Sequence, residues 1–182
     1  TMIVNIGAQS TEISVLEKGR VVISKIIAIG GKQLNESIIN LVRRNCNVNI
    51  GNKTARRLKF ELAWLKTDPE KSGTITGVDC ITGLPQESTV SSCMIHDAIL
   101  DPLIVICREI RFLLERIPPQ IYTGIADEGI FLTGGSTRLP DLAWFISQQT
   151  TMRIRLSTFY DLCTIYGIKE IIRNKTLWKW VK

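Results

Sequence analysis

Two glycine turns, each closing a strand-like apolar run, are the residues of this chain best suited to chemistry. The first is Ile3-Val4-Asn5-Ile6-Gly7-Ala8-Gln9-Ser10-Thr11-Glu12. The second, roughly 125 residues further on, is Gly129-Ile130-Phe131-Leu132-Thr133-Gly134-Gly135-Ser136-Thr137-Arg138. A strand that delivers glycines into the start of a helix puts bare backbone where a nucleotide could lie. One such turn is weak evidence, because most glycine turns need only a tight bend or a positive φ. Two of them, each following a strand-like run, are stronger evidence for a nucleotide site than either alone. Other chemistries find less support. His96 is the sole histidine and reads as a surface or structural residue. The five cysteines (Cys46, Cys80, Cys93, Cys107, Cys163) form no Cys-x-x-Cys pair, so neither a zinc site nor a disulfide framework is expected. That usage fits a reducing cytoplasm. Asp127-Glu128 reads as a cap or turn, and Asp68, Glu70, Asp97 and Asp101 have no second carboxylate at a usable spacing.

The elements that must carry these turns can be read from periodicity. Met2–Ile6, Glu12–Leu16 and Val21–Ala28 are rich in Ile and Val and read as strands, with Gly19 turning between the last two. Leu34, Ile38, Leu41 and Val42 then recur at helical spacing after Gly30-Gly31. Asn52–Thr54 is expected to cap a second helix bearing Leu58, Leu62 and Leu65. Residues 67–77 are polar and turn-rich. Short strands are expected around 77–81 and 87–90, joined by Thr82-Gly83-Leu84-Pro85. A helical stretch runs from Met94 to Arg116, with Asp101-Pro102 read as a cap and first helical position, and Pro118-Pro119 stops it. A helix with Leu142, Phe145 and Ile146 follows, then alternation at Met152, Ile154 and Leu156, then a helix over 162–173. That order makes an α/β protein with a mixed sheet. At 182 residues and 45% apolar content, the chain suffices for one domain with a small insertion, and no apolar run is long enough to span a bilayer.

Six segments together carry a family resemblance: Asn5-Ile6-Gly7 to Thr11-Glu12, Gly30-Gly31 with Asn35-Glu36, Ile50-Gly51 to Thr54-Ala55, Thr82-Gly83-Leu84-Pro85, Leu114-Glu115-Arg116 with Pro118-Pro119, and Gly129 to Gly135. Their order and spacing resemble the C-terminal half of MreB, the bacterial actin family, over nearly the whole chain. The resemblance implies an actin-like ATPase (ribonuclease H-like) lobe: a mixed sheet flanked by helices, with a small α+β insertion. It implies an inner subdomain over 1–30 plus 94–160, an outer inserted subdomain over 31–93, and a C-terminal helix and basic tail over 161–182. ATP and Mg2+ are the implied ligands. Gly7, Ala8, Gln9 and Ser10 stand at the family's first phosphate loop, Gly31 at the adenosine-facing turn, Lys59 at a lysine of the outer helix, and Gly134, Gly135 and Ser136 at the adenosine loop.

The chain departs from the family's pattern at that site. Asn5 stands where the family has an aspartate acting on the magnesium-bound water shell. Ala8 and Gln9 replace two glycines, and Arg56 stands where a glutamate meets the ribose. A guanidinium only donates hydrogen bonds and cannot accept from ribose hydroxyls. With the first lobe outside the sequence, no catalytic residue is assigned, and the ATP site reads as degenerate.

Charge suggests partners. The net charge is +6, and six bases with no acid lie between Arg43 and Lys59 (Arg43, Arg44, Lys53, Arg56, Arg57, Lys59). Without interleaved aromatics or a nucleic-acid motif, these read as solvated helix faces, and nucleic acid is not expected. The tail from Arg173 to Lys182, with Trp178 and Trp180, has the composition of a segment at an anionic membrane surface, which would place the protein at the inner face of the cell membrane. The family's known membrane contacts lie in the other lobe, however, so packing on a partner lobe, or fraying, is the preferred reading of the tail. The family's head-to-tail filaments make other MreB-like subunits, or a separate first lobe, the expected partners. Three readings follow: an assembly lobe of a cell-shape cytoskeleton, half of an ATPase site completed by a partner, and a non-polymerising adaptor.

Overall fold

The computed structural model describes residues 1–180. An antiparallel meander opens the chain: β1 (Met2–Ile6), β2 (Thr11–Glu17) and β3 (Arg20–Ile27). Alternation along β1 and β2 turns Val4, Ile6, Ile13 and Val15 into the core. Lys18 and Gly19, at φ 48° and 76°, make the two-residue positive-φ turn whose twist suits a hairpin. The strand β7 (Ile130–Thr133) lies parallel to β1, and β8 (Ile154–Leu156) parallel to β7, giving a mixed sheet of order β3-β2-β1-β7-β8. A second, antiparallel sheet has the order β4-β5-β6, from β4 (Val48–Asn49), β5 (Ser72–Asp79) and β6 (Pro85–Ser91).

Helices join the sheets. The first, α1 (Gly31–Cys46), sends Leu34, Ile38 and Val42 into the core; α2 (Asn52–Leu62) packs beside it through Ala55, Leu58 and Leu62. The N-cap of α2 is Gly51, without a side-chain cap, so the capping role expected of Asn52 is not realised: its Oδ1 accepts from Asn35 Nδ2 at 2.6 Å instead. The polar stretch 72–77 is strand, not turn. Its serine and threonines pair along β6; a Cβ at Gly77 would collide with Val48-Asn49, and one at Gly73 would press on the Leu62 side chain at 3.2 Å. Strand pairing outweighs the turn-like composition.

Asp101-Pro102 begins no helix. A single helix, α3 (Ser92–Leu114), runs through Pro102 and is capped by Ser91, whose Oγ accepts from the Met94 N–H at 3.3 Å. Ile95, Ile99, Leu103, Ile106 and Ile110 form one buried stripe across the proline, and their burial outweighs the missing backbone hydrogen bond. Pro118-Pro119 ends that helix but also starts α4 (Pro119–Glu128), with Ile121 and Ile125 buried. Two further helices, α5 (Leu142–Thr150) and α6 (Cys163–Arg173), complete the chain. Among the described residues no helix is long and apolar enough to cross a membrane. Of the basic tail, Val181 and Lys182 and the side chains of Lys175, Lys179 and Trp180 lie outside the described residues, while the Trp178 indole N–H donates to the Ile171 carbonyl at 3.0 Å.

Candidate functional site

The strand order places both glycine turns at one point. Neighbouring parallel strands β1 and β7 run in register, Asn5 opposite Thr133, so both turns leave the same carboxyl-terminal edge of the sheet, where open α/β sheets keep their ligand crevices. The Gly7 carbonyl is the hub. It accepts from the Gly31 N–H at 2.9 Å and from the Ser136 hydroxyl at 3.1 Å, while the Gly7 N–H closes its own turn on the Ser10 carbonyl at 2.9 Å. The Ala8 carbonyl accepts from the Lys32 N–H at 2.7 Å, so the first turn caps the N-terminus of α1. From α2, Lys59 Nζ donates to the Gly31 carbonyl at 2.9 Å.

Close backbone packing explains the glycines. Gly134, at φ 99°, lies so near the Ile6 carbonyl and Asn5 that a Cβ would collide with both. A Cβ at Gly30 would sit 2.8 Å from the Gly7 carbonyl oxygen and from the Ser10 nitrogen. Gly135 faces open space, with only Asp161 Cβ at 3.7 Å from such an atom. The second turn is held by the Tyr160 carbonyl, which accepts from the Gly134 N–H at 3.1 Å and the Thr133 hydroxyl at 2.7 Å.

These contacts enclose a cleft of about 1090 Å³. Of the residues singled out in the sequence, Gly7, Ala8, Gly31, Lys59, Gly134, Gly135 and Ser136 line it; Gln9 and Ser10 do not. Gln9 is exposed, and Ser10 serves through its backbone carbonyl in the turn. The basic block divides: Lys53, Arg56 and Lys59 line the cleft, Arg43 and Arg44 lie in the last turn of α1, where cations suit the helix dipole, and Arg57 donates to the Thr74 carbonyl at 3.2 Å. Sequence reading missed Lys32, Asn52, Arg138, Tyr160 and Asp161 as lining residues, and gave Asn35 no role in the cleft. Asn35 alone carried a signal, a polar residue beside Leu34 on the inward side of α1. The rest reach the cleft only through chain crossings.

The electrostatics are one-sided. Lys32, Lys53, Arg56, Lys59 and Arg138 line the cleft against one carboxylate, Asp161, which pairs with Arg138 at 3.0 Å. Lys59 is only 3% exposed, and burial, reinforced by the neighbouring Arg56 charge, lowers its ammonium to about 8. Asn35 is buried, and its Oδ1 has no hydrogen-bond partner among the described residues. Among the described residues no group of three His, Cys, Asp or Glu side chains could hold a metal. The single carboxylate lining this wall, Asp161, is taken by Arg138, and Asn5 is neutral, so the wall offers magnesium no free carboxylate. Elsewhere, His96 stacks on Trp64 with ring centres 4.1 Å apart and its Nδ1 2.9 Å from the Trp64 carbonyl, a packing role.

A mixed sheet carrying two convergent glycine turns, a helical flank and a second small sheet defines an actin-like lobe. The chain belongs to the MreB/Mbl protein family, whose model matches residues 1–179. It is 34% identical over 168 residues to the cell shape-determining protein MreB of Escherichia coli (strain K12), covering 92% of this chain and 48% of that protein. Identity to the cell shape-determining protein Mbl of Bacillus subtilis (strain 168) is 29% over 174 residues, 95% of this chain and 52% of that one. The structure superposes with a TM-score of 0.91 on MreB 5 of Spiroplasma citri bound to AMPPNP, at 28% identity, covering 99% of this chain and 54% of that one. The chain spans about half the length of the relatives it matches.

Proposed function

We propose that this chain acts as the second lobe of a cell-shape cytoskeletal protein, working through filament-type protein–protein contacts in the cytoplasm, with a cleft that is a degenerate half of a nucleotide site. In this reading residues 1–30 and 94–160 are the inner subdomain, 31–93 the outer one, and the segment from 161 reaches toward a partner. The observation that carries the contact reading is α6. None of its residues is buried, yet Ile165, Ile168 and Ile172, spaced as one helical stripe, are 62%, 52% and 68% exposed. Such a face is an association surface until something covers it. A first lobe, or another MreB-like subunit docked heterologously, is the occupant the family suggests.

The nucleotide reading draws on the AMPPNP of the Spiroplasma protein and on the convergence of the glycine turns. Gly7, Ala8, Gly31, Lys59, Gly134, Gly135 and Ser136 are the residues that would hold ATP here. Bound ATP would supply a ligand that bridges this wall to a facing lobe. Hydrolysis is not assigned to this chain, since no carboxylate on its wall is free to act on water or metal. The second reading is an ATP site completed by a partner lobe, which would supply the free carboxylate that this wall lacks.

Sedimentation velocity of the chain against concentration, with and without a first lobe of the family, tests the proposal. Association that falls at least tenfold with Ile168→Asp is expected. A monomer at every concentration that also ignores the first lobe would mean that α6 is no contact surface and the adaptor reading stands.

A further inference from the structure

The outer edge of the five-stranded sheet is open and carries exposed apolar side chains. We propose that β3 pairs antiparallel with β3 of a second copy of this chain, about a two-fold axis at Ser24, so that two sheets join into one. This seam is separate from α6 and does not rest on that surface.

Among the described residues β3 pairs with β2 alone, which leaves a row of its backbone N–H and C=O groups without strand partners. Sheets usually protect such an edge with proline or with charges that project from the strand. This strand has no proline, and Lys25, its one charge beyond Arg20, is drawn aside onto Glu109 of α3. A register shift beside Leu16 leaves Val21 and Val22 exposed together. On the same face as Val22, which is 48% exposed, Ile26 is 69% exposed. The edge therefore offers both unpaired backbone and apolar side chains.

What selects a second copy is that the strand is its own complement. Across an antiparallel seam, residues directly opposite each other share a face. Centring the pair on Ser24 sets Val22 opposite Ile26 of the other copy, twice over, with serine against serine between them. Moving the centre one residue on would oppose the two Lys25 ammoniums, which disfavours that register. An unrelated strand would have to bring this alternation; a copy brings it by identity. The helix layer adds to the seam at the same place. Lys25 lies 4.8 Å from the ring centre of Phe112, so this half-exposed aromatic flanks the open edge close to the axis. An eight-residue strand makes only a small interface, so the pairing is weak and gains from other contacts between copies.

Sedimentation velocity of the purified Ile168→Asp chain, in which the α6 contact is disabled, tests this. A dimer that grows with concentration up to about 1 mM is expected. Val22→Lys and Ile26→Glu, made in that chain, each alter an exposed side chain, and with circular dichroism confirming their fold each should weaken dimerisation at least tenfold. Mixed together, the two variants should associate again, because the register sets the introduced charges against each other. A monomer at every concentration overturns the inference, and the α6 reading then stands or falls separately on the unsubstituted chain. Dimers undiminished by either substitution, or variants that stay apart when mixed, also overturn it. Association that ignores Ile168→Asp but is lost with Ile26→Glu upholds the seam and removes the α6 reading.

Discussion

The two glycine turns leave neighbouring strands at the same sheet edge, yet they are constrained differently. The second turn holds Gly134 at φ 99° against the Ile6 carbonyl and Asn5, so its glycine is demanded by backbone contact. In the first turn a Cβ at Gly7 would meet only the Ser10 carbonyl, at 3.2 Å, and the positions after it are already Ala8 and Gln9. The tight contact on that side has moved to Gly30, which backs onto the turn from the start of α1. Glycine stands where one backbone presses on another, whereas Ala8 and Gln9 are exposed, and the first turn still caps α1.

Substitutions can break or sharpen this contrast. The largest effect is expected at the second turn, where Gly134→Val should destabilise the fold by about 3 kcal/mol or more through strain and collision. Chemical denaturation measures it, and a loss below 1 kcal/mol would remove the basis for calling this turn the more constrained. Lys59 sharpens the comparison from the helix side. Its ammonium ordinarily titrates at 10.5 and falls to about 8 in the fold. Between those values the unfolded chain holds a proton that the folded chain has released, so stability rises with pH across the window, by about 3 kcal/mol in full. Below it the charged lysine stays a cost. Lys59→Met should flatten that rise, as stability curves at pH 7.5 and 10.5 would show. Gly30→Ala is expected to cost about 2 kcal/mol, because the first turn's backbone must shift to admit the methyl. At the small end, Gly135→Ala should change stability by no more than about 0.5 kcal/mol. A large loss there would make the pair, rather than Gly134 alone, the constrained unit.

Legibility followed locality. The β1 and β7 runs, the helical stripe of Leu34, Ile38 and Val42, and the hairpin at Gly19 could be read because strand and helix periodicities are written in adjacent residues. The first part of β5, residues 72–76, was hidden by its Ser, Thr and Gly composition. The continuity of α3 was missed because Asp101-Pro102 imitates a cap, and a buried stripe running through the proline is visible only when the core is assembled. In the site, glycine patterns exposed the two turns, whereas Asn52, Arg138 and Asp161 carry no motif.

The sequence by itself determined most of the strands and helices, that glycines stand at both turns, and that negative charge is scarce around Lys59, since all of these are properties of composition and short spacing. Tertiary structure decided the rest. It brought Gly7, Gly31 and Ser136 onto one carbonyl and, among the described residues, buried Lys59 without a counter-ion and left the Asn35 oxygen without a donor. Desolvation and hydrogen-bond satisfaction depend on what surrounds a group in space, and residues more than a hundred positions apart supply those surroundings only after the parallel pairing of β1 with β7.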